Sequence, residues 1–216
     1  MSYLMIFLEI LGTISFSISG AIEAMKKRMD ILGVLVLGLV TATGGGICRD
    51  ILIGHFPPEV FNSLRNVILA LVAALVAFII GAVLSKNKKE LHKNVWNQAL
   101  LLSDALGLGA FTVLGTRFVE EQVGSGNVVL LVCVGVITGV GGGVMRDLFA
   151  GNIPYIFRKH IYATASIAGS VIYLIISKIC NSDMAAAISL TFILLIRIFA
   201  AKNRWNLPMV NLDENE

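Results

Sequence analysis

Gly44-Gly45-Gly46, followed by Arg49-Asp50, forms a pattern that returns as Gly141-Gly142-Gly143 and Arg146-Asp147. Each copy lies in an apolar stretch, and each continues to a glycine and a proline at matching places, Gly54 and Pro57 or Gly151 and Pro154. Inside a helix every glycine costs about 1 kcal/mol relative to alanine. An Arg or Asp near the centre of a membrane helix costs at least ~2.5 kcal/mol. A chain carrying both features twice is using them, most simply as a route for ions or small polar solutes.

The surroundings of the motif set the class. Hydrophobic residues make up 56% of the 216-residue chain and charged residues only 14%, against about 25% charged in soluble domains. Seven stretches approach the ~20 residues that cross ~30 Å of hydrocarbon: Leu4–Met25, Ile31–Gly54, Leu64–Ser85, Val95–Thr116, Asn127–Gly151, Ile161–Ile179 and Met184–Ala201. The reading is an all-α integral membrane protein forming one membrane domain. The N-terminal run lacks a basic leader region and reads as a retained first helix.

The lysine-rich connection Lys86–Asn94 divides the chain into two halves of three spans, residues 1–85 and 95–179. A seventh helix at 184–201 and a polar tail at 206–216 follow. With the N-terminus outside, the inner connections carry Lys26, Lys27, Arg28, Lys86, Lys88, Lys89, Lys93, Arg158, Lys159, Lys202 and Arg204. The outer ones carry only Arg65, Arg117 and Lys178. The positive-inside rule therefore predicts an outside N-terminus and a cytoplasmic C-terminus. Three spans per half make the halves an inverted repeat. Aligning Gly20-Ala21 with Gly109-Ala110 extends the repeat into the first and fourth spans and matches Ser15 with Asp104. Arg197, Lys202, Arg204 and Trp205 read as interfacial anchors of the unmatched seventh span.

Unwound glycine triplets would kink the second and fifth spans and free backbone carbonyls, which are tolerated at membrane depth only inside protein or beside water. A monovalent cation site is expected at the Gly44–Gly46 and Gly141–Gly143 carbonyls; close helix packing through glycine is the competing use. Neighbours on a helix diverge, so Arg49 is expected to pair with Asp147 and Arg146 with Asp50, unless each pair only anchors a helix end. Ser15, Ser19 and Glu23 share a face of the first span, and Asp104, Thr112 and Thr116 a face of the fourth. Ser15, Ser19, Asp104 and Thr112 are candidate path-lining residues; the hydroxyls serve equally as interhelical hydrogen bonds.

Several classes fall away. Cys48, Cys133 and Cys180 form no metal or disulfide pattern and read as buried thiols. His55, His92 and His160 lack ligand partners at metal spacing. No phosphate loop, dinucleotide fingerprint or nucleophile elbow occurs, so no enzyme and no cofactor are expected. The basic residues mark topology, not nucleic-acid binding.

The runs GGGICRDILIGHFPP and GGGVMRDLFAGNIP resemble the prokaryotic members of the trimeric intracellular cation channel (TRIC) family, which includes relatives described as glycine transporters. The resemblance covers nearly the whole chain. It implies a homotrimer in a bacterial inner membrane. Each protomer would hold a pore for potassium and sodium, lined by the kinked second and fifth spans, with Arg49, Asp50, Arg146 and Asp147 near it and membrane lipids around it. A transporter of a small neutral amino acid such as glycine is the alternative. The basic lipid-binding run of animal members is absent from the fourth span, so that dependence does not carry over.

Overall fold

A computed structural model describes residues 2–62, 64–84, 89–158, 161–203 and 205, without the side chains of 89–93 and 158. The tail at 206–216, His160 and the His92 side chain lie outside that description. Among the described residues the regular structure is helical: α1 (Tyr3–Lys26), α2 (Ile31–Leu52), α3 (Glu59–Asn62), α4 (Leu64–Leu84), α5 (Lys89–Val123), α6 (Val128–Phe149), α7 (Tyr155–Arg158), α8 (Ala163–Ile176) and α9 (Ser182–Lys202). Six of these are long and apolar enough to cross a membrane, while α8 has only 14 residues. The sixth span is thus shorter than its apolar run, and the fourth helix begins within the lysine-rich connection. Side chains start four helices: Ser2, Asp30, Asn127 and Asn181 accept the amides of Met5, Gly33, Leu130 and Asp183, satisfying donors that have no partner within the helix.

The halves are inverted copies around a central crossing of α2 and α6, flanked by α1 and α5. α4 packs on α1 and α2, and α8 on α5 and α6. α9 packs chiefly against α5 and α8, and among the described residues it has no first-repeat equivalent. α4 leaves Ile68, Val72, Val76, Ile79, Ile80 and Val83 exposed, as suits a lipid-facing helix.

Reciprocal contacts give the register. A Cβ at Gly12 would meet the Phe111 ring, and one at Gly107 would meet the Phe16 ring. The two rings lie 5.3 Å apart. Gly20 faces Thr41 as Gly115 faces Thr138. Glu9-x-Leu11-Gly12-x3-Phe16 therefore corresponds to Asp104-x-Leu106-Gly107-x3-Phe111. The Gly20–Gly109 alignment is corrected: the true partner of Asp104 is Glu9, not Ser15. A short Gly-Ala match misleads because such pairs are common in packed membrane helices.

The triplets do not break their helices. α2 and α6 are continuous α-helix through Gly44–Gly46 and Gly141–Gly143, so the loss of winding, and with it the freeing of carbonyls for a cation, is absent. Glycine is required by close approach. A Cβ at Gly45 would collide with the backbone carbonyl of Thr138, and one at Gly142 with that of Thr41. One at Gly141 would stand 3.0 Å from the Gly45 Cα. Cys133 and Cys180 are exposed on the bundle surface, against the expectation of buried thiols.

Candidate functional site

Each motif ends its helix in the same way. Gly54 and Gly151 adopt positive φ, at 71° and 68°, a conformation that glycine reaches without Cβ strain. The following amides, of His55 and Asn152, donate to the carbonyls of Asp50 and Asp147, both at 2.8 Å. The aspartate side chains then organise the next short helix. Asp50 Oδ2 accepts the Glu59 amide and Asp147 Oδ2 the Tyr155 amide, each at 2.8 Å.

The arginines pair with their own neighbours, which corrects the expected cross-pairing. Arg49 Nε donates to Asp50 Oδ1 at 2.8 Å, and Arg146 Nε to Asp147 Oδ1 at 2.9 Å. A helix end leaves the aspartate free to turn back, and the long guanidinium stem reaches it.

Beyond this shared frame the halves differ. In the first repeat Arg49 also reaches Glu59 Oε2 at 3.2 Å and lies 3.8 Å over the Phe118 ring. It borders a cavity of about 80 Å³ lined by Glu9, Thr13, Thr43, Gly46, Asp50 and Arg117, with Glu59 and Glu121 at its sides. That exceeds several times the ~10–15 Å³ needed for one water. A Cβ at Gly46 would meet nothing within 4 Å. The four carboxylates Glu9, Asp50, Glu59 and Glu121 face Arg49 and Arg117, with Arg65 on Glu9 from the rim, so an excess of one negative charge remains. At its rim Glu9 accepts from Arg65 and, at 2.6 Å, from Asn66.

The second repeat is sealed. Arg146 is fully buried and donates to Asp104 at 2.7 Å and to Ser19. Asp104 also accepts from Tyr162 at 3.2 Å, and Arg197 of α9 approaches it at 3.4 Å. Arg197 lies 4.6 Å over the Tyr162 ring, and Arg146 5.1 Å from the Tyr155 ring. At the rim Asn152 donates to Glu23 at 2.6 Å, and Lys26 sits 3.9 Å from the same carboxylate. Arg197 is thus a buried partner of Asp104 and not an interfacial anchor.

Of the sequence candidates, Ser19, Asp104, Arg146 and Asp147 converge on this sealed cluster. Arg49 and Asp50 face the open cavity. Ser15 is buried in the bundle. Thr112 is turned to α8, bonding Ser166 at 2.7 Å, as Thr116 bonds Ser170 at 2.9 Å. They join α5 to α8 instead of lining a path, because a hydroxyl facing a neighbouring helix at close range finds a partner there. Sequence reasoning missed Glu9, Glu59, Phe118 and Tyr162. Only Glu9 had a legible signal, in the repeat of its span with that of Asp104.

Comparison with known proteins follows this geometry. A family profile described as glycine transporter matches residues 6–82 and 101–178, one segment per repeat. The segments start at Ile6 and Leu101, in agreement with the register of Glu9 and Asp104. The inner membrane protein YadS of Escherichia coli K12, of the UPF0126 group, is 38% identical over 98% of this chain and 99% of its own length. YvgT, a UPF0126 membrane protein of Bacillus subtilis, is 38% identical over 76% of this chain and 77% of its own. A prokaryotic TRIC channel crystallised in 0.5 M KCl superposes with a TM-score of 0.86 at 31% identity, over 96% of this chain and all of that one. The chain belongs to the TRIC family. A second structure, solved to explain conductance through TRIC cation channels, matches with a TM-score of 0.81 at 39% identity, covering 96% and 97% of the two chains. TRIC architecture therefore extends along the whole of this protein and includes the unpaired α9.

Proposed function

We propose that this chain is a monovalent cation channel, passing potassium and sodium along a path inside each protomer of a homotrimer. The observation that carries the reading is the first-repeat cavity. It reaches Gly46 of the α2 triplet and is lined by more carboxylates than guanidiniums. In a low-dielectric wall such an excess concentrates cations and repels anions. Kinship with structures described as TRIC cation channels supports the same conclusion. The path is expected to run between α2 and α6, past Gly46 on one side and Gly143 on the other. The distribution of Lys and Arg supports an outside N-terminus in a bacterial inner membrane, which makes the first-repeat cavity the outer one.

Purified protein in planar bilayers tests the proposal. Unitary potassium currents are expected, with a reversal potential that follows the potassium gradient. Reversal at the chloride potential refutes it. One observation favours a second reading, transport of a small neutral amino acid such as glycine. One half is open and the other sealed, as alternating access requires. Saturable glycine counterflow without unitary currents would select that reading.

A further inference from the structure

The two halves share a first-helix carboxylate and an Arg-Asp pair but arrange them differently, with Glu59 and Asn66 of the first repeat standing where the second has Tyr155 and Tyr162. In both, a carboxylate of the repeat's first helix, Glu9 or Asp104, accepts from a residue at the start of the third, Asn66 or Tyr162. The motif arginine makes the difference. Arg146 joins Asp104, and Tyr162 fills the space beside Gly143, where a Cβ would stand 2.6 Å from its hydroxyl oxygen. Arg49 instead turns to Glu59 and Phe118, and the space beside Gly46 is open. Glu9 and Arg49 line the same cavity without pairing. An inverted repeat with unlike halves can exchange them where each half holds both members of the latch, as Arg49 and Glu9 do in the first repeat and Arg146 and Asp104 in the second.

We infer that the protein has a second conformation in which the halves trade roles. Arg49 moves onto Glu9 and closes the first-repeat cavity, while Arg146 leaves Asp104 and opens the second. Glu9 and Asp104 are then the two alternative latches of one gate. Arg197 of α9 reinforces only the Asp104 latch and biases the resting protein toward the arrangement observed. The inference rests on the proposed path through the protomer.

Thiol labelling at position 46 reads the exchange. The chain carries Gly46→Cys with Cys48, Cys133 and Cys180 changed to Ser, and a charged, membrane-impermeant methanethiosulfonate is the probe. Labelling is expected to be fast. Asp104→Asn, which weakens the latch by the equivalent of one charge-assisted hydrogen bond, should raise the ratio of closed to open first-repeat cavity about tenfold and slow labelling by up to that factor. Tyr162→Phe, which keeps the ring volume and folds even if Asp104→Asn does not, should slow it less but in the same direction. Adding Glu9→Gln to either should restore the fast rate, because Arg49 then has no carboxylate to close onto. A rate indifferent to both latch variants overturns the inference, as does a slowing that survives Glu9→Gln. Cation flux measured on the same preparations separates the two claims. Flux with an indifferent labelling rate removes the exchange and leaves the channel, and the expected labelling pattern without flux does the reverse.

Discussion

Alanine substituted along the first glycine triplet should give effects of opposite sign at adjacent positions. At Gly45 the new methyl would lie well inside 3.0 Å of the Thr138 carbonyl oxygen, whereas ordinary contact begins at 3.4 Å. The obstacle is backbone in a packed helix, so α2 and α6 must separate. Overpacking costs about 1–3 kcal/mol, and a gap of 0.5–1 Å along the remaining contact forfeits about a quarter to a half of its dispersion energy. Setting the upper part of that range against the ~1 kcal/mol that alanine gains in helix propensity leaves a net loss of about 2 kcal/mol. At Gly46 no atom lies within 4 Å, so only the propensity gain of up to ~1 kcal/mol operates. The two variants should therefore differ by about 3 kcal/mol, or roughly 6 °C or more in Tm for a chain of this size. Gly142→Ala, against the Thr41 carbonyl, should behave like Gly45→Ala. Thermal unfolding of the purified variants in one detergent measures this. Equal stability of Gly45→Ala and Gly46→Ala would refute the close-approach explanation and restore local unwinding as the reason for glycine.

Asp104→Ala should destabilise the protein by about 3–5 kcal/mol, because Arg146 and Arg197 lose a buried acceptor, whereas Arg65→Gln on the half-exposed Glu9 pair should cost under ~1 kcal/mol by the same unfolding assay. Glu59→Gln and Glu9→Gln, made together, should lower potassium-over-chloride selectivity in bilayers, read as a shift of reversal potential toward zero in a salt gradient. Thr112→Val should cost about 0.6–2 kcal/mol through the lost Ser166 contact and leave selectivity unchanged; a changed reversal potential would return Thr112 to the path. Burial raises the Tyr155 hydroxyl to about 12, so in strong alkali the unfolded chain loses this proton first; stability should fall from about pH 10, and less steeply in Tyr155→Phe, as followed by unfolding against pH.

The membrane class, the all-helical fold and the family were legible in the sequence, because apolar length and duplicated motifs are local properties of the chain. Asp104, singled out as a carboxylate deep in a span, does sit at the centre of a buried cluster. The finer register of the first and fourth spans was also present, in Glu9-x-Leu11-Gly12 and Asp104-x-Leu106-Gly107, but a shorter Gly-Ala match obscured it. What only the packed bundle decided was which neighbour each polar group meets. Arg49 and Arg146 have the same sequence context, yet one borders a cavity and the other is fully buried. Arg197 has the sequence pattern of a headgroup anchor, but α9 leans on α5 and carries it to Asp104. Glycine at positions 45 and 142 served a backbone across the bundle and not the helix that contains it. Chain order fixes which residues can share a helix face. Charge pairing, dryness and close approach depend on groups brought from distant segments, and these exist only once the two halves have docked.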